Sequence, residues 1–487
     1  MVKIVTLGPG AEGRFVGWHD PYLLKAVPAG AIRILLVECG QGSLASALKA
    51  LVPDRQIFGL ARDAEAASRV RGDLESVWVG DAQEDCLELA PDSLDCIIYG
   101  EALAHLDDPL AVLERHSVHL APDGIVLCWV RNAQHYSVIS QILRGDLHHD
   151  DLGATRSGRQ RMDTYASFSK LLLDAGFAPT IEDVCEEPVS REFLMAASLL
   201  CNHVGANVSA MVPHFGSRRY LFKGSRLPAA GVRSGAAEPL TFVACVNNEA
   251  VLKENLLSSP CLLGNHPHEV LLMRGCSSAA EGLNRGIDAA RNTSVVCVHQ
   301  DVYLPKDWPL RFVRQRIAAE AQYGSVAVLG MFGSSFVDGA RTKCGHVVDR
   351  DRVLRENGPL PQPVDTLDEL LLAVHQRAPL RFDPRLGFHL YGADICLSAR
   401  SRGLQAVSVD ALCFHNSQTT EVPPAFLESA RILVDKWPLQ LPIATSCALI
   451  DDAWLSANRG RMPPRVRLNK ALEWVETAAR RIRMRGM

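Results

Sequence analysis

The segment Val295-Val296-Cys297-Val298-His299-Gln300-Asp301-Val302-Tyr303-Leu304-Pro305 decides how the second half of this 487-residue chain is read. A continuous apolar run of this length reads as a strand buried on both faces of a parallel sheet. It ends abruptly in a carboxylate flanked by His and Gln. Ligands of open α/β sheets bind beyond the carboxyl ends of the strands. Asp301 is therefore a candidate for holding Mg²⁺ or Mn²⁺ against a diphosphate, since these hard cations take one or two carboxylates together with substrate phosphates. The structural alternative is an Asp that caps the following turn.

About ninety residues later comes Gly387-Phe388-His389-Leu390-Tyr391-Gly392-Ala393-Asp394-Ile395-Cys396-Leu397-Ser398-Ala399-Arg400. Asp394 opens a helix after a Gly-containing turn, which sets its carboxylate at a helix start, free to act as a general base. Together the two segments resemble the family 2-like glycosyltransferases of the GT-A fold, in the branch with a His-Gln-Asp-Val strand end and a Phe-His-x-Tyr-x-x-Asp helix start.

The likeness continues along residues 240–450. Leu240-Thr241-Phe242-Val243-Ala244-Cys245-Val246-Asn247-Asn248-Glu249 looks like the family's first strand, and residues 269–274 like its second. The helix of residues 278–291 carries Asn284 and Gly286, which match recurring family features. Phe414-His415 resembles the strand end whose His completes a metal site, and Lys436-Trp437 a late family pair. The resemblance implies nucleotide-sugar contacts at Asn247, Asn248, Arg274, Asn284 and Asp301, a divalent cation (Mn or Mg) on Asp301 and His415, and Asp394 as the base of an inverting transfer. The implied partners are a nucleotide-sugar donor and a glycan, lipid-linked or protein acceptor. One departure stands out. The family's usual Asp-x-Asp is here His299-Gln300-Asp301, and imidazole suits Mn²⁺ better than Mg²⁺.

The first half has a different signature. Ile34-Leu35-Leu36-Val37 reads as a buried strand that runs directly into Glu38-Cys39-Gly40-Gln41-Gly42-Ser43-Leu44 and a helix. Glycines at such a turn let backbone approach a ligand, and the helix start offers free N–H groups. With Asp81 after Val77-Trp78-Val79, Glu101 after Leu94-Asp95-Cys96-Ile97-Ile98-Tyr99-Gly100, and Ile125-Val126-Leu127 beyond, this pattern resembles a class I S-adenosylmethionine-dependent methyltransferase. The resemblance implies cofactor contacts at Glu38, Gly40, Gly42, Asp81 and Glu101. His105 falls where that family often has a His. The family's ribose-gripping acid at the end of the second strand is Ala61 here, with Asp63 two residues on.

The fold expected is thus α/β throughout: a Rossmann-like methyltransferase fold followed by a GT-A (nucleotide-diphospho-sugar transferase) fold. The expected divisions are an N-terminal extension at 1–30, a methyltransferase-like domain at 31–223, a Gly/Ala/Ser/Pro-rich linker at 224–239, the GT-A domain at 240–450 and a tail at 451–487. The function expected is glycosyl transfer with an accessory methyltransferase domain. The alternatives are methylation of sugars as the main activity, or a two-domain scaffold without turnover.

Net charge is −4, which gives no general case for nucleic-acid binding. Fourteen cysteines without a Cys-x-x-Cys pair, many inside apolar runs, point to reduced thiols and a reducing cytoplasm. The stretch 193–217 lacks charge, but Asn, His and Pro interrupt it, so it reads as packing helix rather than a membrane span. From 459 on there are nine Lys or Arg against two Glu, with apolar residues at helical spacing. Such a helix docks on its own protein or makes peripheral contact with an anionic membrane surface, at the inner face of the membrane. The pairs His148-His149 and His266-Pro267-His268 lack the spacing of a closed metal site.

Overall fold

The computed structural model describes residues 20–38, 43–70, 74–84, 87–145, 161–204, 206–228, 238–350, 352–356, 358–417 and 423–458. These form two compact units divided after Pro228, with residues 202–210 grouped with the second. Gly40, Gly42, His148, His149, most of the expected linker and the basic tail from 459 lie outside the described residues.

The first unit is built on a seven-stranded sheet of order β3-β2-β1-β4-β5-β7-β6. Its strands are β1 (Arg33–Val37), β2 (Gln56–Ala61), β3 (Ser76–Val79), β4 (Leu94–Gly100), β5 (Leu120–Arg131), β6 (Phe177–Glu186) and β7 (Ser217–Arg226). β1 to β5 are parallel, while β7 runs antiparallel to both of its neighbours. β1 has the continuous apolar character of a strand covered on both faces, and Ile34 to Val37 are all buried. The order reverses between β1 and β4, so the strand ends at Glu38, Ala61 and Glu101 border the position where such sheets bind ligands.

Two expected boundaries move. Residues 20–30 are not an extension: the helix Pro21–Ala26 is capped by Asp20 and its Leu23, with Val27 and Ala31, enters the same core as Ile34. Residues 224–226 are not linker, because β7 continues to Arg226, and a Cβ on Gly224 would lie 2.7 Å from Val126 Cγ2. The uncharged stretch forms two helices, Arg191–Val204 and Val208–Gly216, and no described helix is long and apolar enough to cross a membrane.

The second unit holds a seven-stranded mixed sheet of order β16-β19-β12-β18-β10-β8-β9. Its strands are β8 (Thr241–Val246), β9 (Glu269–Arg274), β10 (Ser294–Val298), β12 (Val326–Gly330), β16 (Gln362–Pro363), β18 (Leu371–His375) and β19 (Gln405–Ser408). β10 pairs parallel with β8 but antiparallel with β18, which corrects the expected all-parallel setting. Its apolar run is explained by layers on both sides. Val295 and Cys297 face one core cluster with the helix Ala279–Ala289, and Val296 and Val298 face another with Trp308 and Phe312. That helix lies so close to β8 that a Cβ on Gly286 would stand 2.1 Å from Val243 Cγ1.

A second sheet contains β11 (Val302–Tyr303), β20 (Phe414–His415), β14 (Ala340–Asp349), β13 (Phe332–Val337) and β17 (Thr366–Leu367), with β15 (Arg352–Arg355) beside β14. β11 follows β10 after the turn that holds Asp301. The helix Asp452–Asn458 packs Trp454 and Leu455 on the first core cluster, so the unit extends past the expected end at 450.

Candidate functional site

Pairing of β11 with β20 sets Val302 opposite His415 and so carries the His415 imidazole to Asp301. His415 Nε2 stands 3.5 Å from Asp301 Oδ1, and His299 Nδ1 stands 3.9 Å from the same oxygen. One donor atom from each of these three residues lies within 4.8 Å of the others. The second nitrogen of each imidazole is already engaged: His415 Nδ1 meets Asp349 Oδ1 at 3.0 Å, and His299 Nε2 meets the Tyr391 hydroxyl at 2.8 Å. Outer partners of this kind fix tautomer and ring orientation in metal sites. Two imidazoles and one carboxylate, with open positions left over, fit a transition ion such as Mn²⁺ or Fe²⁺ better than Mg²⁺.

The electrostatics are those of the His415 imidazole tightly paired with the Asp301 and Asp349 carboxylates. Burial pushes the Asp301 carboxyl up, but the His415 and His299 imidazoles reverse this and hold it far below the usual carboxylate range. Burial pulls His415 down, and the Asp301 and Asp349 carboxylates more than compensate, leaving it well above an ordinary imidazole. His299 is lowered, chiefly by burial.

Beside the cluster opens a cavity of about 380 Å³, within the range that takes small ligands. Its walls include Asn247, Cys276, His299, Asp301, Phe388 and Tyr391. Asn247 and Asp301 thus come together as expected. Gln300 joins them: its Oε1 accepts from the backbone N–H groups of Asn247 and Asn248, both at 3.1 Å.

Three other expectations change. Asn248 caps the helix Glu249–Glu254, its Oδ1 accepting from Ala250 and Val251, so the side chain is spent on the helix start. Arg274 forms a two-point pair with Glu249 at 2.6 and 3.1 Å and does not border the cavity. Asn284 clamps the backbone of Phe382, donating to its carbonyl at 2.8 Å and accepting from its N–H at 2.9 Å, which leaves no polar atom aimed at a nucleotide.

Asp394 is corrected most. It sits in the first turn of the helix Tyr391–Arg400 as expected, after Leu390 in the left-handed region. Yet its side chain has no exposed surface, and it is not a cavity wall. Trp437 Nε1 donates to Oδ1 at 2.8 Å and Lys436 Nζ to Oδ2 at 2.9 Å, while the same Nζ donates to Asp383 Oδ2 at 2.9 Å. A carboxylate so enclosed holds two helices together and is not free to take a proton from an acceptor hydroxyl.

Sequence reasoning set His299 at the Asp-x-Asp position without naming it among the metal ligands, and it missed the outer partners, Asp349 of His415 and Tyr391 of His299. The His-x-Asp spacing was a usable signal for His299. Nothing local marks Asp349, which reaches His415 only through the pairing of β14 with β20.

In the first unit the strand ends are occupied by ion pairs. Glu38, at φ +52°, pairs with Arg62 at 2.7 Å. Glu101 meets Arg219 at 3.3 Å and Arg131 at 3.6 Å, and Arg219 lies over the Trp129 ring at 4.2 Å. Asp81 turns back to accept from Gln83 N at 2.9 Å. Ala61 does close β2, and Asp63 caps the next helix through Ala66 N at 2.7 Å. His105 Nδ1 is buried without a hydrogen-bond partner.

Residues 35–128 match the family model described as a methyltransferase domain. The N-terminal region carries a class I methyltransferase domain. A curated relative, the ubiquinone biosynthesis O-methyltransferase of Xylella fastidiosa (strain 9a5c), is 30% identical over 127 residues, which is 22% of this chain and 52% of the relative. The chain therefore spans about half the length of that relative. Among solved structures, the YcgJ protein from Bacillus is 16% identical with a TM-score of 0.32, covering 43% of this chain and 98% of that one. A methyltransferase from Thermotoga maritima titled a possible histamine N-methyltransferase is 15% identical with a TM-score of 0.29, covering 42% and 86%. Likenesses of that size add nothing to the strand order of the methyltransferase domain described above.

Proposed function

We propose that this chain joins two transferase units: an S-adenosylmethionine-binding methyltransferase domain and a metal-dependent unit of GT-A type that uses a nucleotide-sugar. The methyltransferase reading has the broader support, because the family match over residues 35–128 carries it. Its acceptor class is proposed to be an oxygen nucleophile such as a sugar hydroxyl, as the matched relative is named an O-methyltransferase. Bound S-adenosylmethionine would supply an electrophilic methyl group. The residues around its place fit it incompletely, since Ala61 stands where a ribose carboxylate is wanted, so weak binding is expected.

The single observation that carries the second reading is the His299, Asp301 and His415 cluster, of which His299 and Asp301 line the cavity. These three residues would hold a divalent cation, which when bound neutralises charge on a leaving diphosphate. Asn247 and Gln300 line the cavity; the Gln300 amide is held by Asn247 and Asn248, so the Asn247 side-chain nitrogen is the donor that would meet a nucleotide. Tyr391 and Asp349 keep the two imidazoles oriented. The mixed sheet, with β18 reversed between parallel strands, also supports a nucleotide-diphospho-sugar transferase fold. A glycan, lipid-linked or protein acceptor would complete the reaction, at the inner face of the membrane or in the cytoplasm.

Calorimetry on the full chain tests both parts. MnCl₂ with uridine, guanosine or thymidine diphosphate should bind wild type and lose at least about tenfold in affinity in Asp301→Ala. S-adenosylmethionine should bind both proteins equally. Equal diphosphate binding in wild type and mutant would remove the metal role, and absence of S-adenosylmethionine binding at millimolar ligand would leave the first unit an architectural domain.

A further inference from the structure

Two of the cavity-wall residues are cysteines from different elements. Cys245 is the fifth residue of β8, and Cys276 lies in the loop after β9, just beyond Gly275, whose φ is +64°. Both are free and half-buried. Their sulfurs converge on one point beside the helix Ala279–Ala289: a Cβ built on Gly282 would be 2.6 Å from Cys245 Sγ and 2.7 Å from Cys276 Sγ. The two sulfurs are thus no farther apart than those two distances laid end to end, and the absent side chain of Gly282 is what leaves them room.

We propose that Cys245 and Cys276 are a peroxide-responsive modification site that closes into a reversible disulfide in the wall of the cavity. The chemistry follows from their surroundings. Cys276 follows the positive-φ Gly275 in the loop, where access for a small oxidant is better than within a sheet. Cys245 is tied into the fold, its thiol donating to the Ala279 carbonyl at 3.5 Å, and burial with the neighbouring Cys276 pushes it up to about 12. Cys276 is accordingly the thiol that reacts first. Its sulfur attacks a peroxide oxygen, the O–O bond breaks, and the sulfur is oxidised to a sulfenic acid as one water leaves. The Cys245 sulfur then forms the S–S bond, the S–O bond breaks, and the thiol proton departs with hydroxide as a second water. Two thiols lose two electrons, and hydrogen peroxide is reduced to two waters. Cys297, the third cavity thiol, is fully buried in β10, where burial pushes its thiol up.

The closed form ties the end of β8 to the loop after β9, on the wall that also carries Asn247. This assignment is independent of the reaction proposed above, because it is read directly from mass. The full chain is treated with hydrogen peroxide, blocked with N-ethylmaleimide and digested. The expected product is a peptide pair joined through Cys245 and Cys276, two hydrogens lighter than its parts and released by dithiothreitol. Cys276→Ser should give no such pair, and Cys245→Ser should stop at a Cys276 sulfenic acid that dimedone captures. Both thiols alkylated after peroxide treatment of the native chain would overturn the proposal, as would linkage of either one mainly to another cysteine such as the exposed Cys447.

Discussion

Asp301 and His415 are more than a hundred residues apart, and a single pair of short strands makes them neighbours. Both were legible from their strand-end settings in the sequence. Asp349 and Tyr391 were not, because their roles exist only after β14 meets β20 and the helix Tyr391–Arg400 docks. Asn284 shows the opposite failure: a polar residue at a suggestive position turned out to satisfy the backbone of Phe382. Asn284→Ala removes both partners from a largely buried N–H and carbonyl, which should destabilise the second unit by about 1–3 kcal/mol. Urea unfolding should report that loss, while diphosphate affinity should stay as in wild type. A stable Asn284→Ala protein with impaired diphosphate binding would return Asn284 to the ligand site.

Glu369 gives the pH behaviour of the same region. Burial, helped by the Asp368 carboxylate, pushes its pKa up to about 8, even though it accepts from Gly392 N at 3.3 Å. A carboxyl raised in the folded state binds its proton more tightly there than in the unfolded chain. Its stabilising contribution is then complete below the unfolded value near 4.5 and is lost as pH rises towards 8. Stability of the second unit should therefore decline across that window, by on the order of a few kcal/mol at most. Glu369→Gln should flatten the decline, and an unchanged slope in the variant would assign it to other groups.

At the level of elements, periodicity and apolar runs read well. The expected strand at 269–274 is β9, and the expected helix at 278–291 is Ala279–Ala289. What composition could not give was strand direction, since β10 is apolar on both faces whether its neighbour runs parallel or, like β18, antiparallel. Gly286 ties the two levels together. Adding one methyl there forces Val243 aside, so Gly286→Ala should cost about 1–3 kcal/mol despite its better helix propensity. Thermal unfolding checks this, and a stabilised variant would mean the helix can move off β8 freely. Asp394 is likewise an element-scale residue. Its bonds to Lys436 and Trp437 join the helix Tyr391–Arg400 to the helix Pro424–Lys436. Asp394→Asn keeps one partner for Lys436, at Asp383, and should destabilise by about 1–3 kcal/mol.

Across the whole molecule, the division into two units was legible from the Gly- and Ala-rich break, but its edges were not. β7 runs into the expected linker because Gly224, which reads as a loop residue, is needed where β7 crosses close to Val126. Each unit has its own apolar core, one around Ile34, Leu48 and Leu127, the others around Val295 and Val296. Ligands that bind the native state of one unit should therefore raise the stability of that unit alone. A ligand at about a hundred times its dissociation constant adds roughly 2.7 kcal/mol. Scanning calorimetry of the full chain should show MnCl₂ with a nucleoside diphosphate shifting one transition and S-adenosylmethionine the other. The second shift should be the smaller. Without an acid at Ala61 the cofactor forgoes charge-assisted bonds worth about 1.5–3 kcal/mol, or roughly ten- to a hundredfold in affinity. Asp301→Ala should abolish the metal-dependent shift and leave the S-adenosylmethionine shift intact. If both shifts vanish together, the two sites are not separable, and assigning one ligand to each unit fails.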